Sequence, residues 1–285
     1  LNAQLRKHNG LLLALPAILW LTLFFLLPLA LVFGVSFMTR GTGGMGELPF
    51  TLEHYERIFN LFDGILIRSV RIALITTVVC LVVGYPMAFF IKTRRRASVR
   101  QLALFFVILP FWTNFLVRTY AWRVLLGTEG TINGVLLELG LINAPLEVLL
   151  TEFAVLIGLV YGFLPFMVLP IYASVERFDF RFVEAARDLG ANDWHIFWRI
   201  LLPLTMPGVI AGCILVFIPS IGAFVTPDML GGRDGLMIGN LIHGQFTRTA
   251  NQPLGSALSI VVMSMVMISL LIYIRFAGRG QADVQ

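Results

Sequence analysis

One short stretch carries the residues whose types and spacing suggest work. Three residues separate Glu184-Ala185-Ala186 from Gly190, nine more separate Gly190 from Ile200, and one residue separates Ile200 from Leu202-Pro203. This set holds no nucleophile and no metal-ligand pair, so its chemistry is that of contact. Methyl side chains at Ala185 and Ala186 let another surface approach the backbone, Glu184 offers a carboxylate to a basic group, and Gly190 supplies a bend. A partly buried ion pair adds little net stability but is costly to break, which suits it to orientation. Other chemistries lack their parts. His8, His54, His195 and His243 fall in unrelated segments, and no carboxylate pair or Ser-His arrangement stands out. Cys80 and Cys213 lie in apolar runs without His or Cys neighbours, as packing residues would. The only lysines, Lys7 and Lys92, follow Arg6 and Ile91, so a phosphate-binding Gly-x-x-x-x-Gly-Lys-Ser/Thr loop is absent. No catalytic, metal or cofactor residue is expected in this chain.

A chain built for lipid has to position these residues. Of 285 residues, 58% are apolar and 13% charged, with a mean hydropathy of +0.87. Soluble domains hold about 45–50% apolar and about 25% charged residues, so a soluble globule, a disordered chain and a nucleic-acid module are poor readings. Six runs free of Asp, Glu, Lys and Arg reach 17 residues or more: 9–39, 72–91, 101–117, 153–175, 200–227 and 249–274. A spanning helix needs about 20 apolar residues. The expected fold is therefore all-α and polytopic, one membrane domain over 1–285 with spans near 11–38, 69–91, 101–124, 153–175, 204–227 and 252–275. Segment 235–247 is too short and polar to span, and is expected to be re-entrant or surface-bound. Pro28, Pro86, Pro110, Pro165, Pro170, Pro207 and Pro219 lie within spans and are compatible with kinked helices around a central path.

Basic residues set the expected orientation. With the amino terminus in the cytoplasm, 13 of the 21 basic residues face inward, and segment 92–100 alone holds Lys92, Arg94, Arg95, Arg96 and Arg100 with no acid. That is the positive-inside pattern, and it puts both termini in the cytoplasm. Arg6 and Lys7 before Leu11 resemble a signal-peptide start, but the uncharged run that follows is 31 residues long, against about 7–15 in a cleavable core. A retained anchor is expected. The chain starts at Leu1 rather than Met, and a few residues are expected to precede it. Segment 126–152 carries four acids and no basic residue, and Leu136, Leu137, Leu139 and Leu141 suggest a short amphipathic helix or packing on helix ends. Arg118 is expected to reach the headgroups or pair with Glu129 or Glu152.

Segment 176–203 is too long and too rich in helix formers for a simple loop. Phe182, Ala185, Ala186 and Leu189 share one face at i, i+3, i+4 and i+7. Gly190 can close that helix in a left-handed turn, and Asn192 or Asp193 can cap a second helix bearing Trp194, Phe197 and Leu201 until Pro203 stops it. An amphipathic pair of this kind can also lie on lipid headgroups.

The motif spacing resembles the Glu-Ala-Ala signature of the membrane subunits of ABC importers. Segments 110–114, 158–170, 203–213 and Asp228-Met-Leu-Gly-Gly232 extend the likeness from about Leu12 to Phe276, and resemble the spermidine/putrescine importer permeases of the PotB type. The resemblance implies a type I importer in the bacterial inner membrane, with Glu184, Ala185, Ala186, Gly190, Ile200, Leu202 and Pro203 in a cytoplasmic coupling helix that docks on an ATPase. It also implies a second homologous permease chain, two cytoplasmic ATPase subunits holding ATP and Mg, and a periplasmic polyamine-binding protein. Transport would proceed by alternating access. No carboxylate lies in the six runs, so a polycation would rely on aromatic faces, polar groups and edge acids. Trp112, Asn114, Tyr161 and Asp228 are the path-lining candidates. Related permeases carry iron, thiamine or opine-like solutes, and these alternatives stay open. A secondary transporter would be expected to show an intramembrane ionisable residue.

Overall fold

The computed structural model describes residues 14–282. The expected basic anchor at Arg6 and Lys7, the first residues of the first span and the last three residues lie outside it. Five helices among the described residues are long and apolar enough to cross a membrane, or six if one bent pair counts as a single span. Two compact units divide the chain, one of 1–63 with 241–285 and one of 64–240.

The first unit contains α1 (Ala14–Val35), a hairpin of β1 (Met38–Arg40) and β2 (Gly46–Phe50), α2 (Glu53–Leu61) and α12 (Gln252–Ala282). That hairpin is the only β-sheet among the described residues. α1 packs on α12, yet its leucine and phenylalanine side chains stay exposed, as expected of a helix facing lipid or another chain. Its end is tied down by Ser36, whose Oγ donates to Phe33 O and meets the Tyr55 hydroxyl at 2.8 Å. Gly44 has φ +86, and a Cβ there would overlap the Ala250 carbonyl.

The second unit holds α3 (Asp63–Thr93), α4 (Ala97–Ile108), α5 (Phe115–Leu126), α6 (Thr131–Glu138), α7 (Glu152–Arg177) and α8 (Arg181–Asp188). α9 (Asp193–Ile221) and α10 (Val225–Leu230) follow. α11 (Ile238–Thr247) crosses the boundary between the units and is the helical form of the segment expected to be re-entrant or surface-bound. Its core is the α7–α9 pair. A Cβ at Gly208 would lie 2.5 Å from the Pro170 carbonyl oxygen, and one at Gly212 would lie 2.7 Å from Met167 Sδ. Lipid tails are as apolar as leucine, so close backbone packing, not the hydrophobic effect, joins such helices, and a Gly-x-x-x-Gly pair permits it. Gly84 brings α3 onto the same Met167, and Gly158 brings Thr226 of α10 onto α7. Tyr85 OH of α3 meets Thr205 Oγ1 of α9 at 2.9 Å, placing the polar link where both groups are buried.

Three expected boundaries differ. The second span starts at Asp63, six residues early. Segment 101–124 is not one rod: Pro110 sits in a 3-10 turn, Thr113 is extended, and the helices on either side are bent by 95°. Pro110 removes a backbone donor, and Asn114 restarts the helix by accepting from Leu116 N–H at 2.8 Å. The fifth span, expected over 204–227, ends at Ile221, and α10 is separate.

Because Gly208 and Gly212 face backbone and a buried methionine, Gly208→Val is expected to destabilise the chain by about 1–3 kcal/mol. The thermal midpoint of the purified protein in detergent would fall. An unchanged midpoint would show that α7 and α9 do not need this approach.

Candidate functional site

The Glu184–Pro203 region is an elbow hung from the core. α7 ends with Lys92 Nζ of α3 donating to the Glu176 carbonyl at 2.9 Å. Phe178 and Phe180 pack edge to face, and Phe180 meets Phe89. Val183 joins the core cluster and Ala186 is buried, so α8 is anchored by one narrow face. The other side is free. Glu184 and Ala185 are exposed, with no ion pair to Glu184 among the described residues. Phe182 is 57% and Leu189 89% accessible. The expected apolar face is therefore split: Ala186 points inward, and Phe182, Ala185 and Leu189 point away from the chain's own core.

Gly190 has φ +81 and nothing within 4 Å of a hypothetical Cβ, so the glycine serves the backbone turn and not a close contact. Across it Arg187 Nη2 donates to Asp193 Oδ1 at 2.9 Å. Asn192 is the cap, accepting from His195 N–H at 2.8 Å. Pro203 does not stop the second helix. A π turn over Phe197–Leu201, with the Leu202 N–H reaching Phe197 O, widens the coil just before the proline. The missing Pro203 donor is tolerated there, and the helix runs on to Ile221. Ile200 and Leu202 pack against the core while Pro203 is exposed. The elbow and the following span are thus one lever.

Residues 80–279 match the binding-protein-dependent transport system inner membrane component family. The chain belongs to that family. The permease is 46% identical over 257 residues to the spermidine/putrescine transport system permease protein PotB of Haemophilus influenzae, covering 90% of each chain. It is 46% identical to the PotB of Escherichia coli K12, covering 90% of this chain and 93% of that one. A solved bacterial alginate ABC transporter, in complex with an alginate pentasaccharide-bound periplasmic protein, shares the fold at a TM-score of 0.70 with 19% identity over 96% of each chain. The permease is an inner membrane transport subunit with the fold of ABC importer permeases.

The path-lining candidates lie apart from the elbow and differ in their commitments. Trp112 ends the 3-10 turn and is 77% accessible. Asn114 spends its Oδ1 on the α5 cap. Tyr161 packs edge to face on Trp122 at 5.5 Å and lines a cleft with Pro86, Met87, Phe90 and Leu164. Asp228 is exposed in the first turn of α10. Arg118 does not pair as expected: Glu152 accepts from Arg71, and Arg118 Nε and Nη1 are buried without a hydrogen-bond partner among the described residues. Its guanidinium lies 5.5 Å from the Phe115 ring.

Sequence reasoning missed the residues that brace the elbow. Gly208 and Gly212 were visible as Gly-x-x-x-Gly, whereas the Tyr85–Thr205 link spans 120 positions and had no local signal. With φ positive at Gly190, Gly190→Ala is expected to cost about 1–2 kcal/mol locally. Amide exchange over 185–192 would quicken while α7 stays protected; exchange unchanged across the elbow would show that the turn tolerates a side chain.

Proposed function

We propose that the permease forms half of the transmembrane pathway of an ATP-driven polyamine importer, accepting spermidine or putrescine from a periplasmic binding protein. A second homologous permease completes the pathway. Two cytoplasmic ATPase subunits hold ATP and Mg and dock on the α8 elbow, both termini being cytoplasmic. The observation that carries this reading is the exposed face of Phe182, Glu184, Ala185 and Leu189 on α8, which the Gly190 turn joins to α9, a long apolar helix continuous from Asp193 to Ile221. The two PotB relatives support the cargo class.

The elbow turns motion below into motion above. Apolar Phe182 and Leu189 enter a groove on the ATPase, the Ala185 methyl permits close approach, and the unpaired Glu184 carboxylate fixes the register against a basic group. Closure of the ATPase pair pulls the elbow, and α9 carries the displacement because Gly208 and Gly212 lock it to α7. The bundle rocks between outward- and inward-open states. In the pathway, the accessible Trp112 ring and the Asp228 carboxylate offer a cation a π face and a charge. Asn114 stands at the bend and Tyr161 packs on Trp122, and the partner permease contributes further acids.

Glu184→Lys and Gly190→Pro are expected to leave the permease inserted at normal abundance while polyamine uptake falls at least about tenfold and ATP hydrolysis by the assembly persists. Uptake as in the parent for both variants would reject the coupling role. The cargo is tested separately with radiolabelled spermidine and putrescine in cells with and without this chain. Equal uptake in the two would reject a polyamine importer and leave the coupling assignment standing.

A further inference from the structure

The loop between α3 and α4 is the most basic part of the chain, and it stands at the mouth of an apolar cleft. Residues 92–100 hold five basic side chains and no acid. Lys92 is committed to the Glu176 carbonyl, whereas Arg94, Arg95 and Arg96 are exposed and make no ion pair among the described residues. With Thr93 and Val99 these arginines line a cavity of about 340 Å³. Arg96 precedes α4 in extended conformation, and no side chain caps that helix. Its first N–H groups therefore add their partial positive charge to the same place.

The second feature is the cleft of about 670 Å³ between α3, α4 and α7, lined by Pro86, Met87, Phe90, Phe106, Val107 and Leu164 among others. Tyr161 is its one polar side chain among the described residues. Phe90 links the two: its ring lines the cleft, and the guanidinium of Arg94, which lines the other cavity, lies 3.7 Å from its centroid. Val99, Ala103 and Phe106, at i, i+4 and i+7, put the arginine cavity and the cleft on one face of α4. A polycation fits neither half, being repelled by the arginines and unsolvated in the cleft.

We propose that this composite site binds an anionic phospholipid. Its phosphate lies among Arg94, Arg95, Arg96 and the α4 amino terminus, and one acyl chain fills the cleft past Phe90 and Phe106. Orientation in the membrane needs only an excess of positive charge; three contiguous unpaired guanidiniums at the end of an apolar cleft match a headgroup joined to a chain.

Native mass spectrometry of the purified full-length chain with equimolar phosphatidylglycerol and phosphatidylcholine tests the site. Phosphatidylglycerol should be retained about tenfold better at physiological salt, and the preference should fade at molar salt. The triple variant R94Q/R95Q/R96Q should lose the preference, and Ala103→Trp, which leaves every charge in place and fills the cleft, should lower phosphatidylglycerol binding by about tenfold. Excess inorganic phosphate should not displace the lipid. Equal retention of the two lipids by the parent chain, a preference that survives the triple variant, or parental binding by Ala103→Trp would each overturn the proposal. Full displacement by inorganic phosphate would overturn it in favour of a phosphate site without a lipid chain.

Discussion

The contact on which the second unit depends is the approach of α9 to α7, where Gly208 faces the Pro170 carbonyl and Gly212 faces Met167. Apolar helices gain nothing by leaving an apolar solvent, so association in a bilayer comes from packing and from polar links between helices. Both are concentrated here. Glycines bring the backbones together, Gly84 draws α3 to the same methionine, and Tyr85 with Thr205 adds a buried hydrogen bond one turn nearer the elbow. A side chain at either glycine would push α9 away from α7 and loosen the base of the lever.

The elbow leaves one face exposed while its other face is held by the core. Val183, Ala186, Ile200 and Leu202 hold it from within, while Phe182, Glu184, Ala185 and Leu189 face outward. The Arg187–Asp193 pair and the Asn192 cap stiffen the turn at Gly190. The π turn at Phe197–Leu201 then joins the second arm to the span in spite of Pro203. The outer face on α8 is thus joined to α9 through a single capped turn.

The bend at Thr113–Asn114 has a different logic. A backbone break at membrane depth leaves polar groups that need partners, and here Thr113 Oγ1 donates to the Pro110 carbonyl while Asn114 caps α5. Trp112 is left accessible at the break. The same proline also borders the apolar cleft. One irregularity thus separates a polar turn from an oily recess.

Much of this was legible from composition and local pattern. Charge-free runs located the apolar helices because burying a charge in hydrocarbon is prohibitive over so many residues, and the Gly190 turn and Asn192 cap are local backbone demands that residue type reveals. The split of the Phe182–Leu189 face was not legible: helical periodicity says which residues share a side, but only the docking of Val183 and Ala186 on the core decides which way that side points. Pro203 misled for a related reason, since a proline breaks an ordinary α turn but not one already widened by a π turn. Arg118, expected to reach the headgroups or pair with Glu129 or Glu152, forms no ion pair with Glu152, whose carboxylate accepts from Arg71, eighty-one positions away. Residue type and spacing determined the membrane class, the helices and the elbow. Tertiary structure decided which faces are spent inward, because that choice depends on contacts between segments far apart in the chain.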